Sequence, residues 1–144
     1  EVAEELGVMP EEERMMLHTD VGEEVIVEGN PSLIGSIFRN LTENAIAYSK
    51  GKHIYISLLE NNEKRWRIRF EDDGKGVEPE QLRHLFERFY RVDKGRSRQK
   101  GGTGLGLAIV KHAVQFHGGT ISVTNRPDGG LRFDFTLSKR NINI

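Results

Sequence analysis

The chain contains no cysteine, which removes disulfide stapling, thiolate nucleophiles and thiolate metal sites, and fits a reducing compartment. A charge excess of either sign is missing too. The formal net charge is −1, so nothing in the composition draws the chain to nucleic acid. No apolar run approaches the length of a bilayer span, and membrane contact, if any, is expected outside this chain. No signal peptide opens the sequence, and it starts at Glu1 without an initiator Met, which raises the expectation of a piece excised from something longer. The five histidines, His18, His53, His84, His112 and His117, lack a metal-ligand spacing and read as surface or core filling. What is present suits one soluble globular domain: 144 residues, 36% hydrophobic for a core and 30% charged for a surface.

The most informative stretch is Asn-Leu-Thr-Glu-Asn-Ala-Ile-Ala-Tyr-Ser over residues 40–49. It belongs to a helix that Asn30 caps and Pro31 opens, since proline lacks an N–H that is not needed there. At about 100° per residue, Ile34, Ile37, Phe38, Leu41, Ala45 and Tyr48 share an apolar stripe, with Asn40, Asn44 and Ala47 along one flank. Asn competes with the backbone for hydrogen bonds and is a poor helix-interior residue, so two on one flank suggest a task beyond helix formation.

Around this helix the chain reads in order. Residues 1–13 read as an acidic lead-in that belongs to the same domain, 14–138 as its main body and 139–144 as a C-terminal tail. Residues 14–17 and 24–28 read as short strands around Asp20-Val21-Gly22. Ile54, Ile56 and Leu58 alternate with polar residues, and Trp66, Ile68 and Phe70 answer them across an Asn61-Asn62 turn. The same parity carries the buried row on to Asp72. A carboxylate there is costly to desolvate unless donors reach it, which makes Asp72 a ligand-reading candidate; the alternative is that the strand has ended and Asp72 begins a turn.

Asp72-Asp73-Gly74-Lys75-Gly76 follows, with glycines where the chain turns tightly or a ligand approaches the backbone. Residues 79–85 read as a short helix, and Phe86-Glu87-Arg88-Phe89-Tyr90-Arg91 clusters aromatic rings, expected in the core, with arginines. Residues 92–100 read as a mobile basic loop. Gly102-Thr103-Gly104-Leu105-Gly106 then opens a helix whose apolar side is expected to hold Leu105, Ala108, Ile109, Ala113 and Phe116. A glycine-rich loop feeding a helix N-terminus suits an anion, phosphate above all. Ile121 and Val123, the turn 126–130, and Leu131, Phe133, Phe135 and Leu137 on one face complete an antiparallel hairpin.

Two common phosphate motifs are absent: no segment supplies the P-loop, and Gly102-x-Gly104-x-Gly106 follows a basic loop rather than the strand a dinucleotide fingerprint requires. The set that remains, Asn-x-x-x-Asn, Asp-x-Gly-x-Gly, an aromatic segment and Gly-x-Gly-x-Gly, resembles the catalytic, ATP-binding domain of bacterial sensor histidine kinases. That family shares its superfamily with gyrase B, Hsp90 and MutL-type ATPases, and the resemblance runs from about residue 14 to Ser138. It implies an α/β (α+β) two-layer sandwich: a mixed, largely antiparallel sheet packed against three helices, with an ATP lid over residues 92–101. By matching position, Asn44 would bind Mg²⁺ and Asn40 support the same polar cluster. Asp72 would accept from the adenine amino group, Gly74 and Gly76 would line the purine pocket, and Tyr48 would border it. Arg91 would reach the γ-phosphate, and Gly102, Thr103, Gly104, Leu105 and Gly106 would bring backbone to the phosphates; Asn44 and Arg91 are the expected catalytic pair. Two positions depart from the family pattern: Ala47, where many members have Lys, and Asp73, where Asn is frequent.

The resemblance implies a domain that takes ATP and Mg²⁺ and donates the γ-phosphate to a histidine on a dimerisation domain of the parent, upstream of a response regulator. It also implies a cytoplasmic location, a parent homodimer anchored in the inner membrane, and a monomer for this chain alone. None of the five histidines is followed by the Glu or Asp of the acceptor motif. The alternatives are an ATP hydrolase, an anti-sigma-type serine kinase and a nucleotide sensor without catalysis. Hydrolases of this superfamily place Glu four residues before the Mg²⁺-binding Asn, to activate water. Here that position is Asn40, and Glu43 is expected to project to solvent, about 180° from the apolar stripe.

Overall fold

The computed structural model describes residues 15–19, 28–90 and 104–139. Their strands form one five-stranded sheet: β1 (Met16–Thr19), β2 (His53–Asn61), β3 (Arg65–Asp72), β4 (Ile121–Asn125) and β5 (Leu131–Ser138), in the order β1-β2-β3-β5-β4. β1 lies parallel to β2, and every other pairing is antiparallel. The helices are α1 (Pro31–Asn44), α2 (Pro79–Leu82) and α3 (Gly106–Phe116). The expected mixed two-layer arrangement is therefore present. The strand expected at 24–28 lies outside the described residues except for Glu28, which is in no strand.

Period-2 patterning divides the sheet into two unlike faces. Ile54, Trp66, Ile68, Phe70, Phe133, Phe135 and Leu137 are all buried on the helix-covered side. Phe38 of α1 meets Phe135 edge-on at 5.9 Å, and Phe86 meets Phe133 edge-on at 6.1 Å. Truncating the fully buried Phe133 or Phe135 ring costs about 3–5 kcal/mol. A bulge between Leu58 and Glu60 breaks the β2 row and leaves Leu59 exposed. The opposite face is a ladder of ion pairs: Arg69 with Asp134 at 2.8 Å, and Glu71 with Arg132 at 2.9 Å and Arg126 at 3.2 Å.

α1 starts where its cap predicts. The Asn30 side chain accepts from the Leu33 N–H at 3.1 Å, and Pro31 takes the first helical position. Ile37, Leu41 and Ala45 of the expected stripe are buried. The helix does not run on as α to Tyr48; residues Ala45–Ser49 form a π-helical turn, and Lys50 closes it at φ 59°.

α3 corrects the sequence reading of its apolar side. Val110, Ala113 and Val114 are buried and Leu107 packs against the core, whereas Ile109 is exposed. The helix is apolar on more than one side, and its packing against α1 selects the face that continues into His117. That histidine is fully buried. Its Nε2 accepts the Asn30 backbone N–H at 3.0 Å and its Nδ1 lies 2.8 Å from the Ala113 carbonyl. Nε2 is therefore bare and Nδ1 carries the proton, and the ring ties the end of α3 to the cap of α1.

Candidate functional site

Asp72 ends β3 in the buried row, as its parity predicts, and is only 2% exposed. Its Oδ1 accepts from the Gly74 N–H at 2.9 Å and the Leu131 N–H at 3.3 Å. No donor among the described residues reaches Oδ2. Burial pushes the carboxyl above its ordinary value, and the two N–H donors offset that push only in part. A buried acceptor with one oxygen committed and one open is equipped to read a hydrogen-bond donor on a ligand.

The loop that follows is tied back to the end of α1. The Lys75 N–H donates to the Ser49 carbonyl at 2.8 Å, and a side chain at Gly74 would run into that same carbonyl. Gly74 is thus needed for close approach between the π-turn and the loop. Asp73 turns away toward β2, where its Oδ1 accepts the N–H groups of Lys52 and His53, each at 2.8 Å. Desolvation opposes its ionisation, but these donors outweigh it and the pKa moves down. Its charge is consumed in tying the loop to the start of β2.

Asn40 and Asn44 lie one helical turn apart on α1 and are both half-buried. The Asn40 Nδ2 donates to the Ser36 carbonyl at 2.8 Å, part of what an Asn with only a local role would do. Its Oδ1 faces the start of α3, since a Cβ at Gly106 would lie 3.1 Å from it. Asn44 comes at the junction where α1 passes into the π-turn, and its carboxamide has no hydrogen-bond partner among the described residues. Ala47 and Tyr48 are half-buried within that turn, and Glu43 is exposed.

Gly104, Leu105 and Gly106 bring the chain into α3. Gly104 has φ +76°, and a Cβ there would sit 2.6 Å from the Phe89 Cα. The Phe89 N–H donates to the Gly104 carbonyl at 2.6 Å, and Phe89 itself takes φ 65°. Phe89 is 70% exposed, unlike the core ring expected there, while Phe86 packs inward and Tyr90 stacks on His84 at 5.3 Å. Leu105 occupies the N-cap of α3 and has no side-chain oxygen to offer the first-turn N–H groups. Arg91, Gly102, Thr103 and the expected lid over 92–101 lie outside the described residues.

The structure adds residues of the 126–130 turn and its flanks to the surroundings of Asp72. Leu131 supplies a backbone donor to Asp72, and Gly130 packs against the Asp72 carbonyl. Arg126 reaches the same carbonyl at 3.3 Å, pairs with Glu71 and lies 5.0 Å over the Tyr55 ring. Asn125 pairs with both polar atoms of the Val77 peptide. The cluster of Gly, Pro and Asp at 126–130 signalled a turn; nothing in it named Asp72 as the neighbour.

Comparison with known proteins converges on one group. The family described as "Histidine kinase-, DNA gyrase B-, and HSP90-like ATPase" matches residues 29–141. The sensor-like histidine kinase SenX3 of Mycobacterium tuberculosis is 43% identical over 122 residues, which are 84% of this chain and 30% of SenX3. The chain thus spans about a third of the length of that relative. Among solved structures, the mycobacterial sensor histidine kinase MprB superposes with a TM-score of 0.77 at 26% identity, covering 95% of this chain and 90% of that one. The ATP-binding domain of PrrB from Mycobacterium tuberculosis gives 0.73 at 25% identity, with 95% and 87% covered.

Proposed function

Because the chain belongs to the histidine kinase-, DNA gyrase B- and Hsp90-like ATPase family, we propose that it is the ATP-binding catalytic domain of a two-component sensor histidine kinase. In this reading it holds ATP and presents the γ-phosphate to a histidine on a dimerisation domain outside this chain, from which a response regulator takes the phosphoryl group. The observation that carries the reading is Asp72, a buried carboxylate with Oδ1 committed to Gly74 and Leu131 and Oδ2 open. Adenine offers an exocyclic amino group, the donor such an oxygen accepts.

The phosphate end follows from α1 and α3. Gly104, Leu105 and Gly106 at the positive end of α3 are the proposed phosphate contacts, and Gly102 and Thr103 are assigned to the same role. Asn44 is the proposed Mg²⁺ ligand, and its unpartnered carboxamide fits that role. Among the described residues no cluster of three or more His, Asp or Glu could hold a metal. Mg²⁺ commonly takes few protein ligands and completes its shell with substrate phosphate oxygens and water, so one carboxamide suffices here. The ion offsets charge on the transferring phosphoryl group. Asn40 supports this end beside Gly106, Tyr48 borders the purine, and Arg91 is assigned to the γ-phosphate. Gly74 and Gly76 line the base end.

A kinase is favoured over a hydrolase by what stands where a water-activating base belongs. That position is Asn40, and Glu43, which adjoins Asn44, is exposed to solvent. The parent is proposed to be a membrane-anchored homodimer with this domain in the cytoplasm; no helix among the described residues is long and apolar enough to cross a membrane. The test is to titrate the chain with Mg-ATP, then supply a histidine-bearing dimerisation region in trans. Acid-labile phosphate should form on that region and on none of the five histidines here. Rapid ATP turnover by the chain alone would replace this reading with the hydrolase.

A further inference from the structure

We propose that Asn125 is a positioning residue for the base end of the site, holding the loop after Asp72 in place so that the carboxylate meets the purine edge correctly. The inference rests on the nucleotide reading above and deepens it. Asn125 is the last residue of β4 and is half-buried. Its Oδ1 accepts the Val77 N–H at 3.0 Å while its Nδ2 donates to the Val77 carbonyl at 2.8 Å. One side-chain amide thereby reproduces the two-bond exchange of an antiparallel ladder, at a place where the loop has no strand to pair with.

The position of Asn125 gives this clamp its consequence. In the β4–β5 ladder Asn125 stands opposite Leu131, and the Leu131 N–H is one of the two donors to Asp72. One cross-strand pair therefore grips the loop at both ends, Leu131 at Asp72 and Asn125 at Val77. Between them, Lys75 is held by Ser49. Gly76, at φ +67°, leaves the space that the Asn125 amide fills, since a Cβ there would sit 2.5 Å from Oδ1. Asn is disfavoured in strands, so its presence in β4 calls for a reason of this kind.

The distinction Asp72 has to draw is narrow. Adenine presents an amino group where guanine presents a carbonyl, which a carboxylate oxygen repels. A loop free to sag loses the purine's hydrogen bond and lets the carboxylate withdraw from the guanine carbonyl. Affinity and base preference fall together.

The experiment uses the full chain with Asn125→Ala, which removes both bonds, and Asn125→Asp, which keeps the acceptor but sets a negative oxygen against the Val77 carbonyl. Dissociation constants for ATP, ADP and GTP are measured with and without Mg²⁺, well below each variant's melting temperature. ATP and ADP should weaken by the same factor, about fivefold to tenfold for the loss of such bonds. That factor should not depend on Mg²⁺, and the preference for ATP over GTP should narrow. A residue that only stabilised the fold would lower the melting temperature and leave the ATP-to-GTP ratio alone. If Asn125→Ala does not fold, Gly76→Ala, which displaces the same amide, should give the same uniform loss, and combining it with Asn125→Asp should add little. A folded variant with parent affinity and parent base preference overturns the assignment of Asn125. A parent chain that binds no adenine nucleotide overturns the functional reading itself.

Discussion

The two ends of the proposed nucleotide site are made of different material. At the base end, three chain segments meet through backbone groups, with Gly74 and Leu131 donating to one carboxylate although Asp72 and Leu131 are 59 residues apart. At the phosphate end, Asn40 and Asn44 stand on one helix and Gly104 to Gly106 open another, so side-chain carboxamides and helix polarity do the work. The base end is therefore tied into the sheet and its hairpin and should respond to anything that shifts the loop. The phosphate end should respond to ions. Each substitution below asks whether that division holds.

Asp72→Asn should have the largest effect. It replaces an open acceptor with a group that can present a donor to the adenine amino group, and ATP affinity should fall between about tenfold and a hundredfold, with or without Mg²⁺. The fold should gain rather than lose. Burial raises the Asp72 pKa above 3.8, so the ionised carboxylate subtracts from stability at neutral pH. As pH falls through the raised value, the folded state takes up a proton that the unfolded chain does not, and the penalty shrinks, vanishing below the ordinary value. The melting temperature of Asp72→Asn should therefore exceed that of the parent most at neutral pH, the gap closing near pH 3.8. A variant that melts lower at every pH would show that the carboxylate is a structural anchor.

Gly104→Ala comes next. The left-handed backbone and the contact with Phe89 admit no Cβ, and the strain should cost about 1–3 kcal/mol in urea unfolding. Nucleotide binding should weaken for ATP more than for adenosine, since the damage is at the phosphate end. Equal loss for both would mean the two ends are one unit. Asn44→Ala should reduce ATP affinity by about tenfold when Mg²⁺ is present, the scale of one charge-assisted contact, and leave metal-free ADP nearly unchanged. Loss independent of the ion would return Asn44 to a structural role. The smallest effect belongs to an ion pair that touches neither end: Arg69→Ala breaks the partly exposed pair with Asp134 and should cost less than about 1 kcal/mol, with both affinities at parent level.

Legibility divides along the same line. Asp72 was visible because strand parity carries a buried row into it, and Asn40 and Asn44 because one helix spaces them on a flank. The π-turn was not visible, since Ala45 to Ser49 carries no residue that marks one. The buried face of α3 is not legible because Ile109 and Val110 are both apolar, and only contact with α1 decides which is covered. His117 fills the core, as its sequence allows, but its link between two helices is not legible there, because its acceptor role depends on an N–H 87 residues away. The donors to Asp72 escaped for a related reason: a backbone N–H leaves no trace in residue identity.

The π-turn also acts as a spacer. A turn with i→i+5 bonding houses one residue more than an α-turn, so removing one residue from Ala45–Ser49 would close the helix into regular form rather than break it. The helix would shorten by about 1.5 Å and rotate, with Asn44 unmoved and the Ser49 carbonyl drawn off Lys75. Chain length at this spot thus gauges the separation between the Asn44 carboxamide and the loop after Asp72, and a deletion there would leave both halves of the proposed site intact but mismatched to one ligand.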